Sequence, residues 1–106
     1  MRHPRFSTAL FPIALLASLA SPPTLADLEL ATKSGCTVCH QVETAVIGPA
    51  YKEVAARYKG DAAAVETLVA KVRSGGAGNW GQVPMTPHPH ISEEDIRKLV
   101  QWVLSL

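Results

Sequence analysis

The stretch Cys36-Thr37-Val38-Cys39-His40 constrains this 106-residue chain more than any other. Two cysteines three apart, followed directly by a histidine, have the spacing of covalent haem attachment. In a helical turn, positions i and i+3 share a face. Both thiols can then reach the two vinyl groups on one edge of a porphyrin, and the next imidazole projects under the iron. Cys36 and Cys39 would become thioethers, and His40 an axial iron ligand. These are the chain's two cysteines, so the motif is used once and implies one haem c. Other uses of the same residues fit less well. A zinc site needs about four ligands, and besides His40 the spare imidazoles are His3, His88 and His90. A redox dithiol belongs near a βαβ pattern, and no strand-like alternation is present. A disulfide between near neighbours closes a loop too short to add much stability.

The N-terminus has the layout of a secretory signal: Arg2 and Arg5, then an apolar run from Ala9 to Ala20 interrupted by Pro12, then Pro-rich residues ending Thr24-Leu25-Ala26. Cleavage is expected after Ala26, with Ala20 as the alternative. The apolar run falls well short of the ~20 residues that span a membrane, so no stable membrane anchor is expected. The domain division is thus 1–26 for the signal peptide and 27–106 for one small domain. Export points to the bacterial periplasm, an oxidising compartment in which unmodified thiols would pair or oxidise and thioethers would not. Two of the ten Lys and Arg residues lie in the leader, which leaves eight against nine acidic residues. That near-neutral balance, with no basic stripe, argues against nucleic acid as a partner. A domain this short rarely buries enough apolar surface unaided, so a porphyrin would form much of the core.

Four helices and no strand are expected in the mature part. Asp27 to Ser34 reads as a short helix with Leu28 and Ala31 facing inward and Gly35 near its stop. Ala50 to Tyr58 places Tyr51, Val54, Ala55 and Tyr58 at helical spacing. Asp61 is a candidate N-cap for a helix to Arg73, whose Val65, Leu68, Val69 and Val72 follow the pattern of one buried face. Ser92, with Asp95 three positions on, opens a terminal helix with Ile96, Leu99, Val100, Val103 and Leu104 on its apolar face and Trp102 near the border. Between these helices, Asn79 to His90 reads as a long Gly- and Pro-rich loop, of a length that in so small a domain is usually functional.

Two residues outside the motif are candidates for the same chemistry. Pro49 could place its carbonyl against the far nitrogen of His40 and fix that ring, or it could simply initiate the following helix. Met85, the single methionine beyond Met1, lies among three prolines in a polar loop rather than on a helix face, which suits a thioether iron ligand better than a core filler. His88 and His90 are the rival ligands.

With Gly35 to His40, Gly48-Pro49-Ala50-Tyr51, Trp80-Gly81, Pro84-Met85 and a terminal helix bearing Trp102 in this order, the whole mature region resembles the short bacterial class I cytochromes c. The resemblance implies an all-α, four-helix fold wrapped around one covalently bound haem, with His40 and Met85 as axial ligands. It implies that Pro49 supports His40 and that Trp80, with Lys71 or Arg73, contacts a haem propionate. It implies a monomeric one-electron carrier of the periplasm and not an enzyme. Its partners would be a quinol-oxidising complex and a nitrite reductase or terminal oxidase, docked at an apolar rim with Lys33 or Lys52 either steering or merely solvated. Two departures stand out: His88 occupies the place where the family often has an asparagine, and the first helix lacks the usual aromatic. Two other functions remain open. A haem sensor or enzyme would leave the sixth site open and bind carbon monoxide. A haem-bearing electron-entry subunit of a membrane oxidoreductase would be stable only in complex.

Overall fold

The computed structural model describes residues 1–4, 7–14 and 25–106; much of the expected leader, with the alternative cleavage point at Ala20, lies outside them. Four helices carry the fold: α1 (Leu25–Lys33), α2 (Tyr51–Arg57), α3 (Ala64–Ser74) and α4 (Glu93–Leu104). A single 3-10 turn, Cys36–Val38, follows α1.

The helix ends follow local hydrogen bonding more than apolar spacing. α1 starts at Leu25, two residues before Asp27, and so crosses the cleavage point expected after Ala26. α3 starts a turn later than expected. The Asp61 carboxylate accepts the Ala63 N–H at 2.8 Å, and its carbonyl accepts Ala64 N–H at 3.2 Å. Asp61 therefore makes the turn that leads into the helix, as Asp side chains readily do, and does not cap it. Ser92 does cap α4, with its hydroxyl accepting the Asp95 N–H at 3.1 Å.

α4 is the hub, packing on α1, α2 and α3. Its helical period divides the core in two. Leu99 and Trp102 meet Ala31 of α1 and Tyr51 of α2, while Ile96 and Val100 meet Val69 of α3. Trp102 is thus central rather than at a border, at 6% exposure. Ala31 is fully buried, whereas Leu28 is exposed: with a small residue at 31, the first helix lies close against Trp102 and Leu28 turns outward. Across the surface, Arg97 of α4 grips Glu66 of α3 with two hydrogen bonds, at 2.6 and 3.1 Å.

The expectation of no strand is corrected by a small antiparallel hairpin, β1 (Gly76–Gly78) with β2 (Gly81–Met85), paired Gly76 to Met85 and Gly78 to Gly81 across the turn residues Asn79 and Trp80. The first half of the expected loop is therefore ordered by backbone pairing. Its strands are short, glycine-rich and almost wholly exposed, so they carry no alternating apolar signal.

Candidate functional site

The attachment turn is tight because Gly35 ends α1 and the Cys36 carbonyl accepts N–H bonds from both Cys39, at 3.2 Å, and His40, at 3.0 Å. In a 3-10 turn, side chains three apart eclipse one another, so the two thiols share a face. They are not joined in a disulfide. Burial pushes the Cys36 thiol up from its ordinary pKa, partly offset by a hydrogen bond with Tyr51. Burial likewise pushes the Tyr51 hydroxyl up, helped by the nearby Cys36. Both groups therefore stay protonated at neutral pH.

Residues 41–50 fold back so that His40 is held from several sides. Gly48 N–H donates to the Cys39 carbonyl at 2.7 Å, and Tyr51 N–H to that of Gln41 at 2.9 Å. His40 Nδ1 lies 2.8 Å from the Pro49 carbonyl. A carbonyl can only accept, so Nδ1 carries the proton and Nε2 keeps its lone pair for a metal. Pro49 takes the first of the two roles its sequence left open, since it lies ahead of the N-cap Ala50 and not in the first turn of α2. The ring also stacks on Tyr51, with centroids 5.2 Å apart and planes 16° apart, and Tyr51 in turn meets Trp102 edge-on. Gly48 is the residue that sequence reasoning passed over: a Cβ there would come within 3 Å of three His40 ring atoms. The glycine beside the expected proline was the available signal.

Met85 comes from β2. Gly75 closes α3 at φ 66°, and a Cβ on it would meet the Met85 carbonyl and Pro87 nitrogen. Here the chain needs both a conformation and a closeness that other residues do not allow. His88 is anchored through its N–H to the Val72 and Arg73 carbonyls at 3.2 and 3.3 Å, and its Nδ1 is buried without a partner. His90 is exposed, 5.6 Å from His88 between ring centroids. Trp80, at the hairpin turn, is covered on one face by the Arg57 guanidinium, 3.4 Å from its ring centroid.

These segments enclose one cleft of about 380 Å³. Every expected site residue reaches it: Cys36, Cys39, His40, Pro49, Trp80 and Met85 all line its walls, as do Lys71 and His88, but not His90. Arg73 turns away to pair with Glu93 at 3.2 Å. The rest of the lining is mostly apolar, including Val54, Leu68, Val72, Leu99 and Val100. The donor set fits a porphyrin: two thiols on one face, an imidazole with its Nε2 unengaged, a thioether from a second segment and apolar walls for the ring.

Such a helical domain, built around a cleft with its own attachment thiols, is of the class that carries a covalently bound metalloporphyrin. The chain belongs to the cytochrome c family, whose profile matches residues 29–106. It is 62% identical over 94 residues to cytochrome c-551 of Allochromatium vinosum, covering 89% of this chain and 100% of that protein. It is 43% identical to cytochrome c-552 of Nitrosomonas europaea, over 88% of this chain and 90% of that one. The crystal structure of wild-type Nitrosomonas europaea cytochrome c552 superposes with a TM-score of 0.72 at 44% identity, over 74% of this chain and 96% of that one. A class 1 cytochrome from Sideroxydans lithotrophicus ES-1 gives 0.65 at 36% identity, over 76% and 91%. Family membership makes the chain a haem-bearing electron-transfer protein, not an enzyme, that acts with redox partner proteins. Among the described residues, no helix is long and apolar enough to cross a membrane.

Proposed function

We propose that the chain carries single electrons in the bacterial periplasm on one haem c, joined through Cys36 and Cys39, with His40 and Met85 as the iron ligands. The hydrogen bond from His40 Nδ1 to the Pro49 carbonyl carries this reading, because it reserves Nε2 for the metal in the cleft that Met85 also lines. When bound, the haem supplies a reversible iron(III)/iron(II) couple. The chain's own residues keep the two ligands where they are. Pro49, Gly48 and Tyr51 fix the imidazole, and Pro84 and Pro87 stiffen the backbone around Met85. Trp80 and Lys71, which line the cleft, are the groups assigned to a propionate. With His40 and Met85 both holding the iron, no coordination site would remain for a substrate, and little would have to rearrange when an electron moved.

Electrons would enter and leave at the apolar rim, where Val38, Ile47 and Val83 line the cleft while remaining well exposed. Lys52 is drawn to Glu43 at 2.5 Å, which leaves it a weaker steering group than Lys33. A quinol-oxidising complex is the proposed donor and a nitrite reductase or terminal oxidase the proposed acceptor, with the carrier docking as a monomer. Residues 1–26 serve as the export signal and 27–106 as the working domain.

The optical spectrum of periplasm-matured protein tests the assignment. The pigment should resist acid-acetone extraction, and the oxidised protein should have the weak far-red band of sulfur-bound iron(III). Met85→Ala should abolish that band; a band that survives removes Met85 from the ligand set.

A further inference from the structure

α2 touches both halves of the site. At its start, Tyr51 stacks on His40, and the N–H groups of Tyr51 and Lys52 are held by the carbonyls of Gln41 and Val42. At its end, Arg57 reaches across 22 positions of sequence to the hairpin turn. There its guanidinium donates to the Asn79 carbonyl at 2.5 Å and its central carbon lies over Trp80, 3.4 Å from the ring centroid. The hairpin lines the cleft from Gly76 to Gly81 and again at Val83, Pro84 and Met85, and at its base buried Gly75 lies close against the backbone of Met85 and Pro87. The Arg57 contacts tie the far end of the hairpin, its turn at Asn79 and Trp80, to α2.

We propose that Arg57 is a positioning residue: by latching the hairpin turn to α2, it holds Met85 in place over the cleft. This rests on Met85 being an axial ligand. The seven residues of α2 then act as a strut, with the His40 segment fixed at one end and the Met85 segment at the other. An arginine suits the role because its planar guanidinium can stack on an indole and hydrogen-bond a carbonyl at once, which a lysine ammonium cannot do.

Imidazole added to the oxidised, haem-loaded protein tests the latch, because it binds only molecules whose Met85 has left. Its apparent affinity therefore rises in proportion to the open fraction. Arg57→Leu should tighten imidazole binding about fivefold, the size expected from losing one exposed cation–π contact. Arg57→Lys should fall between this variant and the wild type. Lys59→Leu removes the same charge two residues on without touching the hairpin, and should leave the affinity unchanged. Equal affinity for Arg57→Leu and wild type overturns the latch, and so does an equal shift in Arg57→Leu and Lys59→Leu, which would make charge alone responsible. If wild-type protein lacks the far-red band, Met85 ligation has failed and the latch falls with it. If the band is present and imidazole ignores Arg57, the latch alone has failed.

Discussion

His40 shows how a single side chain is aimed by its neighbours. Its ring is pinned by a carbonyl at Nδ1, a phenol ring on its face and a glycine against its edge. The glycine is the least replaceable of the three, since a methyl group at position 48 would overlap the ring itself. Gly48→Ala should destabilise the haem-loaded protein by about 1–3 kcal/mol, the usual cost of overpacking a fitted site. Urea unfolding followed by haem absorbance would measure it, and a change in the far-red band would report that the imidazole has moved. The site thus depends on residues chosen for what they lack: Gly48 has no Cβ, and Pro49 has no N–H.

At the scale of elements, α3 and α4 are joined by the Val69, Ile96 and Val100 cluster inside and by the Glu66–Arg97 fork outside. The hydrogen bonds from Arg97, and then its charge, hold the Glu66 carboxyl below the usual carboxylate range. The folded protein therefore binds fewer protons at Glu66 than the unfolded chain, and the pair adds stability above about pH 4.3 that is lost as the pH falls through the folded value. The pair lies at the surface with Glu66 mostly exposed and Arg97 half-buried, so the effect is small. Glu66→Gln should be slightly less stable than wild type near neutral pH, with the gap closing as the pH falls below the usual carboxylate range. Paired urea titrations across that range would check it. The hairpin is held by backbone pairing and by the Arg57 contacts at its turn, and on the latch proposed above a change at Arg57 would be felt at Met85.

For the whole molecule, the core is divided and small. Among the described residues, Ile96 is the single large side chain buried to below 2% exposure, and the two clusters flank a cleft rather than close on each other. A domain as small as the matched residues 29–106 is marginal without an added apolar body. Replacing both attachment cysteines, Cys36→Ser with Cys39→Ser, should leave most of the chain without stable helix at 25 °C. Far-UV circular dichroism of the double variant beside haem-loaded wild type would measure the difference; a fully helical, cooperatively unfolding double variant would mean that the helices stabilise one another unaided.

The local chemistry was legible along the chain. The attachment motif, the Pro49 and Met85 candidates, the four helices and the Ser92 cap all depend on residues a few positions apart, so spacing alone carries them. The tertiary structure decided the rest. Asp61 was expected to begin a helix and instead forms the turn before it, because its carboxylate found the Ala63 N–H first. The Gly76–Met85 hairpin escaped notice because exposed backbone pairing leaves no alternation of side chains to read. Gly48 against His40, the choice of Lys71 over Arg73 for the cleft, and the hold of Arg57 on Trp80 arise from segments brought together in space. Hydrogen bonds and steric fit across the fold set them, and no pattern of periodicity encodes those contacts.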